Sequence, residues 1–141
     1  MILDLINHNS LNYDAEIQIF PAIPSAGRMT SEIVKEVLGL NAVVRSTSSS
    51  NEKEVLNEFI FSLSYVGDFG AYTNKEYVGT KQHKVHLTDL ERKLKPLLSK
   101  AGKITRFTLK KGHPFYPVFW DFAFNIEVEN ESYIIIGASS D

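Results

Sequence analysis

Val118-Phe119-Trp120-Asp121-Phe122-Ala123-Phe124-Asn125-Ile126-Glu127-Val128 is the stretch on which the reading of this chain turns. Trp120, Phe122, Phe124, Ile126 and Val128 occupy its even positions, and Phe119, Asp121, Ala123, Asn125 and Glu127 its odd ones. A period of two belongs to a β-strand, whose successive side chains point to opposite faces. The segment therefore reads as a strand with one face in the core and the other wet. Glu129-Asn130-Glu131-Ser132 supplies a turn, and residues 133–137, Tyr-Ile-Ile-Ile-Gly, return as a second strand. Upstream, residues 103–110 alternate Thr105, Phe107 and Leu109 against Arg106, Thr108 and Lys110 before Gly112-His113-Pro114 turns the chain. The sum is an antiparallel meander of three strands.

Residues 2–6 and 15–20 also read as strands, the second alternating Ala15, Ile17 and Ile19 with Glu16 and Gln18, which predicts an N-terminal hairpin. Pro21 and Pro24 cannot donate to a ladder and end it. From Thr30 the pattern becomes Ile33, Val34, Val37, Leu38, the stripe of an amphipathic helix closed by Gly39. Residues 42–44 predict a short strand. Ser49 with Glu52 has the spacing of a capping box, followed by a helix through Val55, Leu56, Phe59, Ile60 and Leu63 to about Ser64. Residues 67–86 show neither period; an unstructured loop of that length in a compact domain is usually functional, and a short hairpin around Thr73-Asn74 is the alternative. Thr88 with Glu91 suggests another cap, and Leu90, Leu94, Leu97 and Leu98 continue one helical face through Pro96, which predicts a kinked helix or two abutting ones. Two to three helices in the middle, with strands at both ends packed beneath them, make residues 1–141 a single α+β domain.

Composition narrows the function classes. The 141 residues include no cysteine, so no disulfide scaffold, cysteine-ligated metal or thiol nucleophile can form. With 15 Lys+Arg against 17 Asp+Glu the formal charge is −2, which argues against a protein that coats nucleic acid. Asp4 interrupts the first apolar run and no basic region precedes it, so no signal peptide is expected. The apolar runs are far shorter than the roughly 20 residues of a membrane helix. A cytoplasmic protein, with neither membrane nor nucleic acid as partner, is the expectation.

The chemistry is sparse. His83-x-x-His86 has no carboxylate or cysteine to complete a metal set, and both rings read as solvated beside Lys81 and Lys84. His113, in its Gly-His-Pro turn, is a general base only if a carboxylate such as Asp121 orients it; otherwise it is an exposed turn residue. Asp121 lies between Trp120 and Phe122 but belongs by alternation to the polar face with Asn125 and Glu127. Asp68-Phe69-Gly70 matches the kinase magnesium triplet with none of that fold's other motifs. No phosphate-binding glycine pattern occurs. No catalytic residue, metal ligand or cofactor site is assigned.

Aromatic content is left over: Phe69, Tyr72 and Tyr77 in the glycine-bearing segment, Phe115 and Tyr116 in the turn, and Phe119 on the wet side of its strand. Aromatic side chains outside a core are the usual anchors of protein interfaces. The block His113-Pro114-Phe115-Tyr116-Pro117-Val118-Phe119-Trp120-Asp121-Phe122-Ala123-Phe124, with its acidic turn and residues 133–141, resembles the closing hairpin of small bacterial immunity proteins of polymorphic toxin systems. The resemblance covers about a quarter of the chain. It implies a single-domain, cytoplasmic α+β protein without catalysis that binds and blocks a cognate toxin, commonly a nuclease. The partner-binding residues expected on the bottom-up reading are Asp68, Glu76, Asp121, Glu127, Glu129 and Glu131 as charges and Phe69, Tyr72, Tyr77 and Tyr116 as anchors. Two other readings stand beside it: a hydrolase using His113 with Asp121, and a homo-oligomeric module whose aromatics bury one another around a symmetry axis.

Overall fold

The computed structural model describes residues 2–68 and 70–141. Its centre is the meander read from the sequence: β6 (Lys103–Lys111), β7 (Asp121–Val128) and β8 (Glu131–Ser140), all antiparallel. β3 (Val43–Ser50) adds to the outer side of β6. On the other side, β1 (Asp14–Ile19) and the two-residue β2 (Ile23–Pro24) both pair with β8. The result is a six-stranded sheet in the order β1-β8-β7-β6-β3.

The aromatic ladder of β7 sets the packing. Trp120 and Phe122 stack with ring centroids 5.9 Å apart and planes 8° from parallel, and Phe124 follows at 5.9 Å from Phe122. Phe122 lies directly opposite Gly137 of β8. A Cβ on Gly137 would stand 2.6 Å from that ring and 3.0 Å from Ile17, so the missing side chain is what lets the ring lie flat across the sheet. Three helices cover this face: α1 (Ile2–Asn7), α3 (Glu52–Leu63) and α4 (Lys81–Ser99).

The first of these corrects the N-terminal hairpin. Ile2, Leu3, Leu5 and Ile6 have the i, i+1, i+3, i+4 spacing of one helical face, and all four pack into the core with Asp4 outside. Asn7 then replaces a neighbouring strand. Its side-chain amide donates to the carbonyl of Ala15 (2.9 Å) and its oxygen accepts from the Ala15 N–H (2.8 Å), closing the edge of β1 there.

Other boundaries shift for equally local reasons. The serine-rich residues 46–50, beyond the expected strand at 42–44, are also strand, because their backbone pairs with β6 from Ser46↔Thr108 to Ser50↔Ile104; tertiary pairing overrides the weak β-propensity of serine. The cap of α3 is Asn51, whose side chain accepts from the Glu54 N–H at 2.9 Å, two residues beyond the expected Ser49. α3 ends at Leu63, as its periodicity predicts. α4 starts seven residues before Thr88, capped by Thr80, and continues through Pro96 in its last turn. Thr88 is mid-helix, donating back to the Lys84 carbonyl. Part of the aperiodic segment forms a small ribbon, β4 (Gly67–Asp68) with β5 (Ala71–Tyr72).

His83 is core, not solvated: 2 % exposed, it accepts the Gly79 N–H at Nδ1 (3.0 Å) and donates from Nε2 to the Leu63 carbonyl (2.8 Å). One neutral ring thereby ties the end of α3 to the start of α4 and the loop before it. The opposite face of β7 is not wet either. α2 (Thr30–Leu38), with the bounds its stripe predicts, lays Ile33 and Val34 against Ala123, Phe107, Ile134 and Ile136, and Asn125 beside them is 0 % exposed. The sheet is covered on both sides.

Two substitutions test this packing. Gly137→Ala should cost about 1–3 kcal/mol in urea unfolding, because the new methyl meets the Phe122 ring, and part of that loss should return when Phe122→Leu is added. His83→Ala should cost about 2–4 kcal/mol, since the Gly79 N–H and Leu63 carbonyl both lose their partner in a buried site.

Candidate functional site

One end of the sheet gathers charge, exposed aromatic surface and a loop turned by glycine. Glu16 of β1 is the register partner of Ala138 in β8, and Ala138 that of Asp121 in β7. The two acids therefore stand on the same face in one row, separated by two strand spacings, about 10 Å. Ala138 between them is 2 % exposed, while Glu16 and Asp121 on either side are exposed.

The loop joining β6 to β7 forms a wall beside that row. Gly112 has φ +80°, and a Cβ there would stand 2.5 Å from Ala42 Cα, so glycine is required for the chain to leave β6 at this angle. Phe115 packs into the core under α2. Tyr116, next in the chain and bracketed by Pro114 and Pro117, is 79 % exposed. The Val118 N–H donates to the Ser139 carbonyl (2.7 Å), and the Ser139 N–H returns a bond to the Trp120 carbonyl (3.0 Å), which fixes the loop to the end of β8. Between Glu16, the Pro114–Tyr116 segment and the Ala138–Ser140 strand end lies an open cleft of about 400 Å³.

His113 and Asp121 do come together, with Nε2 3.7 Å from Oδ2. The arrangement is nevertheless not that of a general base. Nδ1 accepts the Phe115 N–H at 3.0 Å, so the hydrogen-bond network puts the ring proton on Nε2, facing Asp121. Neither nitrogen keeps a lone pair for a substrate proton, which base catalysis requires. Burial pushes His113 below the ordinary imidazole value, while the Asp121 carboxylate pulls the other way. His83 and His86 do not converge on a metal: both nitrogens of His83 are bonded, and His86 Nδ1 meets the Tyr77 hydroxyl at 2.8 Å. Among the described residues no group of three or more His, Asp or Glu side chains is arranged to hold a metal ion.

The structure divides the partner-binding residues expected from the sequence. Tyr116 and Asp121 lie together in the corner just described. Glu127, half-buried, and the exposed Glu129 and Glu131 surround the β7–β8 turn, about 20 Å away at roughly 3.3 Å per residue along the strand. Tyr72 is half-buried, with the Lys75 ammonium 4.0 Å from its ring centre, and Glu76 beside it is exposed. Tyr77 is no anchor: it is buried in the main core, and burial raises its hydroxyl above the ordinary phenol range. Asp68 ends β4, and Phe69 lies outside the described residues. Phe119, read as wet-side surface, instead packs with Tyr13 and Tyr65 at 5.7 and 5.8 Å. Tyr13 takes the Trp120 indole N–H at 2.7 Å, and burial pushes its hydroxyl up to about 12.

Glu16 is the residue sequence reasoning missed. Its polar-face position in β1 was legible, but nothing local says that β1 lies beside β8. Charge is also segregated: α4 carries five Lys and Arg against two acids, leaving ten against fifteen on the rest of the chain. No family model, curated protein or solved structure matches the chain.

The His113 environment sets a pH signature. Its folded pKa lies below the unfolded value of 6.5, so its contribution to stability is intact above that pH and declines as pH falls towards the folded value. His113→Asn keeps an acceptor for the Phe115 N–H and removes the titration. Urea unfolding followed from neutral to mildly acid pH should show a smaller acid loss for the variant; equal slopes would mean His113 does not couple to folding.

Proposed function

We propose that this is a non-catalytic binding protein, an immunity protein that neutralises a cognate bacterial toxin in the cytoplasm by direct contact. The observation that carries the reading is the pairing of Tyr116, exposed yet bracketed by two prolines, with the exposed carboxylates of Glu16 and Asp121. A tyrosine already restricted loses little conformational entropy on binding and brings apolar area with a hydroxyl tip, the properties of an interface anchor. Carboxylates beside it favour a basic partner surface and steer its approach. Glu129 and Glu131, at the far end of the sheet, add to the acidic field without sharing the anchor's contact. Among the described residues no helix is long and apolar enough to cross a membrane, which fits action on a protein partner in solution.

The resemblance of the closing hairpin supplies the class of partner, and the acidic corner supplies its charge: a toxin domain with a basic surface, as an enzyme that grips phosphate backbones presents. Occlusion asks for no chemistry from this chain, in keeping with a His113 ring whose Nδ1 lone pair is taken by the Phe115 N–H and whose Nε2 is buried without a hydrogen-bond partner among the described residues.

The test is to express the neighbouring reading frame with and without this protein and to measure binding of the two purified chains. Growth arrest relieved by co-expression is the expected result; a harmless neighbour, or one still lethal alongside this protein, overturns the reading. Tyr116→Ala should weaken the complex by about 2 kcal/mol, roughly 30-fold. Glu16→Lys with Asp121→Lys should slow association about tenfold and flatten its salt dependence. Reversing Glu127 with Glu129 should slow association less. Each variant should melt as a folded protein, since Glu16, Tyr116, Asp121 and Glu129 are exposed and Glu127 is half-buried.

A further inference from the structure

The two edges of the sheet are built differently. At the β1 side, Asn7 clamps Ala15 and Pro21 and Pro24 interrupt the chain, so no long row of free backbone groups is presented. At the β3 side nothing among the described residues pairs with the outer edge of an eight-residue strand. Residues 45–49, Arg-Ser-Thr-Ser-Ser, are exposed at every position.

Natural sheets blunt such an edge with lysine, proline, an inward charge or a bulge. Here the register irregularities are confined to Val43–Ser46, and pairing with β6 is regular from Ser46 to Ser50. That stretch contains neither charge nor proline. An edge left straight and unguarded is a template for another strand, and its side chains decide which. A foreign peptide is selected by pockets that take alternate side chains; a strand of serine and threonine offers none. A copy of the same strand needs only to match itself.

We infer that β3 is the pairing edge for a second copy of this chain, joined antiparallel about a two-fold axis at Ser48. In that arrangement hydroxyl side chains face hydroxyl side chains, a favourable cross-strand combination. Arg45, the one charge in the strand, has no ion pair among the described residues and falls opposite Asn51, next to Ser50, of the other copy. Ser50 Oγ already donates to the Glu54 carboxylate at 2.6 Å, so each Arg45 would approach an acid across the axis and no like charges would oppose. The two contacts are equivalent by symmetry, as an isologous interface requires. Strand pairing alone buries less than the usual area of a permanent dimer, so the association is reversible and concentration-dependent. It uses a different surface from the acidic corner and stands whether or not the neutralising role does.

The absence of cysteine makes a clean test. Thr47→Cys, Ser48→Cys and Ser49→Cys, each alone, place one thiol per chain along the edge, and directly opposed strand residues have Cα separations within disulfide range. Under mild oxidation at least one should link into dimers about tenfold faster than a control cysteine replacing exposed Lys95 on α4, because paired strands raise the effective thiol concentration. Arg45→Glu, which sets two acids against Glu54 of the opposite copy, should remove that advantage, and light scattering of the unmodified protein should show mass rising towards a dimer with concentration. All three edge thiols linking no faster than the control, or a constant monomer mass, would overturn the proposal. So would protection of the thiols only by a different protein, which would assign the edge to that partner instead.

Discussion

The ring of Phe122 lying across Gly137 is the contact on which the rest of the molecule depends. β7 places three aromatic side chains in a row on one face, and such a row can lie flat only if the neighbouring strand gives up a side chain where the rings cross it. Gly137 does so, with Ile17 closing the far side. With the ladder flat, Phe59 of α3 reaches Phe122 at 5.1 Å, and Trp120 reaches back to Tyr13, which ties the start of β1 to the start of β7. The Arg106 guanidinium sits 5.5 Å from the Phe124 ring while bonded to Glu58 of α3 at 2.7 Å, so even the polar link between helix and sheet rests on the ladder.

The second face obeys a looser rule. α2 supplies an apolar cover, but β7 and its neighbours present Thr105, Asn125 and Ser132 beneath it, with side-chain oxygens that find no partner among the described residues, although Asn125 donates to the Thr30 hydroxyl at 3.2 Å. Buried polar atoms of this kind forfeit hydrogen-bond energy that an apolar residue would not. They account for the amphipathic look of β7: its odd positions are polar enough to suggest water, yet small enough to be covered by one short helix.

Function is argued from a corner that exists only because three strands lie side by side. Glu16 and Asp121 are 105 residues apart in the chain and become neighbours across Ala138 through register alone. Gly112 and the bonds to Ser139 then hold Pro114–Tyr116 beside them. The same loop holds His113 so that the Phe115 N–H on Nδ1 consumes the lone pair that an oriented base would use. Proximity of histidine and aspartate is therefore a poor guide to chemistry until both ring nitrogens are accounted for.

Side-chain period alone determined the meander, the bounds of α2 and the end of α3, because alternation and the helical stripe are local properties of the chain. It also placed Glu16, Asp121 and Tyr116 on polar or exposed positions. Only the tertiary structure decided that residues 2–7 form a helix, that the serine run is strand, that His83, Tyr77 and Phe119 are buried, and that β7 is covered on both faces. The physical reason is common to all of these. A period reports how a segment is coiled and which side chains share a side, whereas what covers that side, and which distant strand supplies the next residue in a row, is set by contacts between segments that carry no mark of one another in the sequence.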